Sequence, residues 1–198
     1  MQRLSLKHAV LCLCLTTALA TSGFAQKYEI HPLIGRTAPT KWADLYNLKS
    51  VSIVGVKAAM YADNTTQIEA ELENLPHFEF RDTDPEIRGW VWGINLSKNF
   101  FLDRSKMIPF YHFGVGGVTA YTGSSTPVTM QLADRTVRID NNDTFLALSY
   151  GVGVKALRVI GPAGVRVNIL GRTMPNYFNR ANSWAEISGG LVFTFGNK

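Results

Sequence analysis

Cysteine is nearly absent from this chain. Of 198 residues only Cys12 and Cys14 are cysteine, and both lie in an N-terminal apolar stretch. Nothing downstream can build a disulfide framework, a thiolate metal site or a cysteine nucleophile. Long hydrophobic runs are missing too. The longest candidate, Ala9 to Ala20, has twelve residues and is too short to span a bilayer as a helix. Apolar spacing at i, i+3, i+4 is nowhere sustained, so no amphipathic helix is expected. Charge of one sign is scarce. Of the 20 Lys+Arg, Arg3 and Lys7 lie before the apolar stretch, leaving 18 against 15 Asp+Glu, a net +3. That mild, mixed balance argues against nucleic acid as a partner.

The first 25 residues read as a secretion signal. Arg3 and Lys7 give the positive start, Ala9–Ala20 the apolar segment, and Gly23-Phe24-Ala25 the small residues at a cleavage site. Cleavage is expected after Ala25, with Ala20 as the alternative. Residues 26–198 then form one domain.

In that domain period two dominates. Eight strands are expected, over Lys27–Gly35, Val51–Tyr61, Thr66–Phe80, Ile87–Asn99, Met107–Tyr121, Asp143–Arg158, Gly164–Thr173 and Trp184–Phe195. Their connections alternate long and short, with one pair about equal. Ala62-Asp63-Asn64-Thr65 and Gly161-Pro162-Ala163-Gly164 carry the chemistry of tight reversals. Val128–Asp140 also alternates in part, so the longest loop is expected to project as a hairpin. Pro76 cannot donate a ladder hydrogen bond, so the third strand should leave the regular ladder near it.

The decisive pattern is which parity holds the charges. Ile68, Ala70 and Leu72 oppose Glu69, Glu71 and Glu73. Val54, Val56, Ala58 and Met60 oppose Gly55 and Lys57. Leu146, Leu148, Tyr150, Val152 and Val154 oppose Ser149, Gly151, Gly153 and Lys155. Val165, Val167 and Ile169 oppose Arg166 and Asn168, and Ile187, Leu191, Phe193 and Phe195 oppose Glu186, Ser188 and Thr194. A charge facing mid-bilayer costs about 2–4 kcal/mol for Arg or Lys. Bulky apolar residues on one parity, with Gly, Ser and ions on the other, suit a narrow barrel whose outside meets lipid. A water-soluble barrel also alternates, with the two faces exchanged. The fold class expected is all-β, an eight-stranded antiparallel up-and-down transmembrane barrel. Trp90, Trp92, Tyr121 and Trp184 at one end, with Tyr28, Tyr61, Phe100, Phe101, Tyr111 and Phe195 at the other, are candidates for the interfacial aromatic girdles.

Several segments are similar to a known family. Ile108-Pro109-Phe110-Tyr111-His112-Phe113-Gly114-Val115-Gly116-Gly117, Ser149-Tyr150-Gly151-Val152-Gly153-Val154-Lys155, Gly164-Val165-Arg166-Val167-Asn168 and the closing run Glu186 to Gly196 resemble the small outer-membrane β-barrels related to the transmembrane domain of OmpA and to OmpX. The resemblance implies an outer-membrane location. It also implies recognition of the closing strand by the barrel-assembly machinery, through the alternate Ile187, Leu191, Phe193 and Phe195.

Eight strands enclose an interior that side chains just fill. The inward charge list is Lys57, Glu69, Glu71, Glu73, His112, Lys155, Arg166 and Glu186. Lys57 should meet the strand-three carboxylates, and Arg166 lies between strands bearing Lys155 and Glu186. A charged, hydrogen-bonded plug is expected, with a gated proton or ion path as its alternative. Glu69, Glu71 and Glu73 are spread over roughly 13 Å of one strand face, too far to converge on one metal. His31, His77 and His112 show no ligand spacing, so no metal, no cofactor and no catalytic residue is expected. A deacylase-type barrel would need a His-Ser pair near Asn176–Arg180, where no histidine stands. The working surface is then the outer loops 36–50, 122–142 and 174–183, facing lipid, lipopolysaccharide (through Arg36, Lys41 and Lys49) or a host or surface ligand. The competing functions are a lipid A-modifying enzyme of the same fold and a soluble periplasmic barrel with an apolar ligand inside.

Overall fold

The computed structural model describes residues 27–39, 50–78, 87–100, 107–122, 127–132, 135–140, 142–177 and 180–196. The expected leader, Phe101, Lys41 and Lys49 lie outside them. Ten strands are present: β1 (Tyr28–Pro39), β2 (Ser52–Tyr61), β3 (Thr66–Phe78), β4 (Ile87–Asn99), β5 (Ile108–Tyr121), β6 (Val128–Leu132), β7 (Arg135–Ile139), β8 (Asp143–Ile160), β9 (Ala163–Tyr177) and β10 (Arg180–Phe195). Eight close into a barrel in the order β1-β10-β9-β8-β5-β4-β3-β2, and β6 with β7 make a separate two-stranded ribbon between β5 and β8. Every pairing is antiparallel.

Closure fixes the stagger. The ladder runs Glu29, Ala59, Glu69, Asn95, Gly114, Ser149, Arg172, Trp184 and returns to β1 at Pro39. Pro39 is ten residues beyond Glu29 (39 − 29), so the barrel has eight strands and a shear of ten. Such a stagger tilts strands by roughly 35–45° and leaves a lumen that side chains fill.

One end, called the near end, holds Tyr28, Phe195, Asn99, Ile108 and the reversals Tyr61 to Thr66 and Ile160 to Ala163. At the first of these, Asp63 accepts hydrogen bonds from the Thr65 and Thr66 N–H groups and hydroxyls. These bonds, led by the Thr65 N–H, hold its carboxyl below the ordinary carboxylate range. The stabilisation they give is present above that range and is lost on acidification through the depressed value. Gly161 reaches φ 60°, as the tight β8–β9 reversal requires.

The far end departs from expectation. β1 runs on to Pro39 and β9 to Tyr177, while β10 begins at Arg180. Segment 174–183 is thus mostly ladder, with Met174 opposite Asn182 and Tyr177 opposite Arg180. Pro175 and Asn176 read as loop residues, but a bulge opposite Arg180 and Asn182 accommodates them without a ladder hydrogen bond from proline. Segment 36–50 likewise begins as strand, with Thr37 N–H bonded to Val51 O at 2.8 Å. The ladder does slip beyond Leu75, next to Pro76.

The two faces divide as parity requires. Ile34, Val54, Leu72, Ile94, Phe113, Leu146, Val152, Val167 and Ile187 are exposed on the outside, and Ile34 keeps 70% of its surface. Inside, the ionised groups occupy the middle. Val51, Ile53, Leu75, Val91, Val118, Met174 and Trp184 are buried toward the far end, and Ile108, Phe110 and Val192 toward the near end.

Glycine marks where the walls come closest. A Cβ on Gly153 would lie 2.3 Å from the Phe110 ring and 2.6 Å from Val167 O, whereas one on Gly189 meets nothing nearer than 3.5 Å. Gly153→Ala should therefore destabilise the folded barrel by about 1–3 kcal/mol, and Gly189→Ala by less than about 0.5 kcal/mol. Urea unfolding of the two variants checks this.

Candidate functional site

The lumen gathers most of the ionised strand residues, because outward positions on the same strands are apolar. Among the described residues Glu29, Glu69, Glu71, Glu73 and Glu186 are buried there with Lys57, Lys155, Arg166 and Arg172. That is five carboxylates against four cations, arranged in three tiers.

At the near end Lys155 Nζ donates to Glu29 Oε2 at 2.8 Å and to Gln67 Oε1 at 2.7 Å. The Tyr61 hydroxyl also donates to Glu29. In the middle Arg166 grips Glu69 with both terminal nitrogens, directly across the barrel from β9 to β3. Its Nε donates to Asn168 Oδ1 at 2.9 Å, and its guanidinium lies 4.4 Å from the Phe110 ring centre. Above this, Lys57 reaches Glu71 at 3.0 Å and Glu73 at 3.3 Å. Arg172 holds three carboxylates, Glu71 at 2.6 Å, Glu73 at 2.7 Å and Glu186 at 3.1 Å, and donates to Ser149 at 2.9 Å. Glu71 and Glu73 share one strand face, so their like charges are held by two cations at once.

All eight inward candidates lie inside the barrel, but the partners differ from those the strand order suggested. Lys57 does meet the β3 carboxylates. Arg166 does not meet Glu186; it crosses to Glu69, and Glu186 goes to Arg172. Lys155 and Arg166 stand opposite each other in the ladder, and each turns to a different carboxylate. His112 is buried, yet neither ring nitrogen has a hydrogen-bond partner, and the same holds for His31. Glu29, Tyr61, Gln67 and Arg172 were not anticipated. Arg172 shares the parity of Arg166 and Asn168, and only its place near the expected strand end hid it. Among the described residues no group of His, Cys, Asp or Glu is arranged to hold a metal ion.

The aromatic candidates divide. Trp90, Trp92, Tyr28, Tyr111, Phe100 and Phe195 are exposed on the outer face, and Tyr121 is half-buried at the far end. Trp92 Nε1 donates to Thr119 at 3.1 Å, which bonds Thr144 at 2.9 Å. Trp184 is corrected: it is buried in the lumen, sharing the parity of Glu186 and Ser188. β10 starts at Arg180, so Trp184 lies within the ladder instead of at its edge. Tyr61 is corrected in the same way, since its hydroxyl turns in to Glu29.

The barrel fold recurs in solved structures. The chain is similar to the Neisserial surface protein A (TM-score 0.58, 11% identity, 87% of this chain and 98% of that one). It is also similar to the N-terminal β-barrel domain of Pseudomonas aeruginosa OprF (TM-score 0.54, 11% identity, 85% and 97%). The fold is that of the small outer-membrane barrels. No protein-family model matches the chain, and no curated protein matches it in sequence.

Arg172 is the strongest single test of the network. Arg172→Met leaves Glu71 and Glu73 to Lys57 and takes from Glu186 its Arg172 partner. Removing one partner of a buried ion pair costs about 3–5 kcal/mol, because the remaining charge stays buried. A loss of that size should appear in urea unfolding at neutral pH, and adding Glu186→Gln should recover part of it.

Proposed function

We propose that this chain is a non-enzymatic integral outer-membrane protein, exported by residues 1–25 and inserted as the single domain 26–198. One observation carries the reading: the strands show lipid-compatible side chains around the middle of the barrel exterior while nine charged side chains are turned inward. A soluble barrel would expose the reverse. Among the described residues no helix is long and apolar enough to cross a bilayer.

In this reading the near end, with its short reversals, faces the periplasm, and the far end faces outward. The three ion-pair tiers act as a plug between the apolar layers at each mouth. The outer loops 36–50 and 122–142 are the working surface, the second extended by the β6–β7 ribbon, with 174–183 contributing only its tip. Lipopolysaccharide and outer-membrane lipid are the nearest partners. Arg36 stands exposed at the far rim, hydrogen-bonded to Ser50 at 2.8 Å, where lipid phosphate would lie. The barrel-assembly machinery would read the closing strand.

Membrane fractionation with gels run unheated and boiled tests the location. The protein should sediment with outer membranes and migrate differently in its folded form; recovery as a soluble periplasmic protein would overturn the reading. Val167→Arg places a cation on the exterior and should weaken assembly by about 2–4 kcal/mol, whereas Val167→Leu should assemble normally. Lipid A from cells with and without the protein should have the same mass spectrum; a mass change would establish the enzymatic alternative.

A further inference from the structure

On the described barrel strands the prolines sit at the ends, with one exception. Pro39, Pro76, Pro109 and Pro175 lie at a strand end or within two residues of one, whereas Pro32 is the fifth of the twelve residues of β1. Its strand pairs with β10, so Pro32 lies on the seam where the first and last strands close the barrel. Backbone groups in an antiparallel strand point to its two neighbours by turns. The Thr37 N–H bonds Val51 O and the Tyr61 N–H bonds Lys27 O, so odd-numbered residues of β1 turn to β2 and even-numbered ones to β10. Pro32 therefore faces β10, opposite Leu191, and has no N–H to donate. The seam ladder runs Tyr28–Phe195, Glu29–Thr194 and Ile30–Phe193, skips two positions, and resumes at Leu33–Gly190. The register is unchanged across the gap, so no bulge repairs it. The Leu191 carbonyl loses its ladder donor in a wall facing hydrocarbon, where no water replaces it. On the other side of β1 the ladder to β2 is unbroken from Tyr28 to Arg36.

We propose that the barrel opens sideways at this gap, with Tyr28–Ile30 parting from Phe193–Phe195 as a unit while Leu33–Pro39 stays paired with β10. The near section has three rungs and the far section seven. No side chain on β10 covers the break from outside at Gly189, where a Cβ would meet nothing nearer than 3.5 Å. Both edges stay held when they part. β1 keeps its ladder to β2, and Glu29 keeps Lys155 at 2.8 Å and the Tyr61 hydroxyl. The end of β10 keeps the Thr194 N–H on Pro162 O at 3.0 Å and the Arg158 Nη2 on Gly196 O at 3.3 Å. The movement is thus a parting of two anchored edges, distinct from fraying of a strand end, and it bares Glu29 of the near tier through the wall. The gap belongs to the barrel itself; only the cost of the bare carbonyl rests on the membrane reading.

Hydrogen exchange of backbone amides tests this, read by NMR on the whole mature chain folded in detergent micelles. The amides of Ile30 and Phe193 face the seam, and those of Glu29 and His31, in the same stretch of β1, face β2. Local opening of the seam should make Ile30 and Phe193 exchange at least about tenfold faster than Glu29 and His31, and than Ile34 and Gly189 beyond the gap. Equal protection on the two sides of β1 would overturn the proposal, since it would mean a closed seam or a strand that frays as a whole. Pro32→Val restores a donor to the Leu191 carbonyl and should slow exchange at Ile30 and Phe193 by about tenfold, as one recovered buried hydrogen bond would. Unchanged exchange there would also sink it. The wild-type comparison stands by itself if the variant fails to fold.

Discussion

Every ionised residue on a barrel strand has two destinations, the surrounding medium or the lumen. If the surroundings are hydrocarbon, the first is closed, and the second is tolerable only when each charge meets an opposite one. The pairing of Arg166 with Glu69 and of Arg172 with Glu71, Glu73 and Glu186 answers that constraint. The apolar exterior and the small residues of the inner walls suit the same requirement. Without those pairs the inward charges would oppose folding, and without the inward charges the exterior could not stay apolar.

The struts also give the lumen a grain. They cross from β9 to β3, while Lys155 of β8 reaches Glu29 of β1 along another chord. The β4–β5–β8 wall is left with Gly93, Gly114, Gly116, Gly151 and Gly153 beside short polar groups. Apolar layers at both mouths, Val91, Val118 and Met174 at one and Ile108, Phe110 and Val192 at the other, exclude water from the ion pairs and strengthen them. The fold is thus a barrel with an ionic middle between two small hydrophobic cores.

Much of this was legible in period two. Ile87–Asn99 was placed to the residue, and the inward parity of Glu69, Glu71, Glu73, Lys57, Lys155, Arg166 and Glu186 follows from alternation alone. Strand ends were less legible. Pro175 and Asn176 carry loop chemistry, and only the bulge beside them shows that the ladder continues to Tyr177. Reading Trp184 as an interfacial aromatic came from that misplaced end, since a residue at a strand's first position has no fixed face. Arg172 stands near the end of the expected strand, although its parity matches that of Arg166.

The order of residues by itself determined which side chains share a face, because successive strand residues point to opposite sides wherever the strand is placed. It thereby determined that charge and oil would be separated. Which charge meets which was decided by closure. The closed order of eight strands puts β9 across from β3, a shear of ten sets the level at which they face, and Arg166 meets a glutamate 97 residues away in sequence. No local pattern encodes that distance, since it depends on the stagger summed around all eight strands.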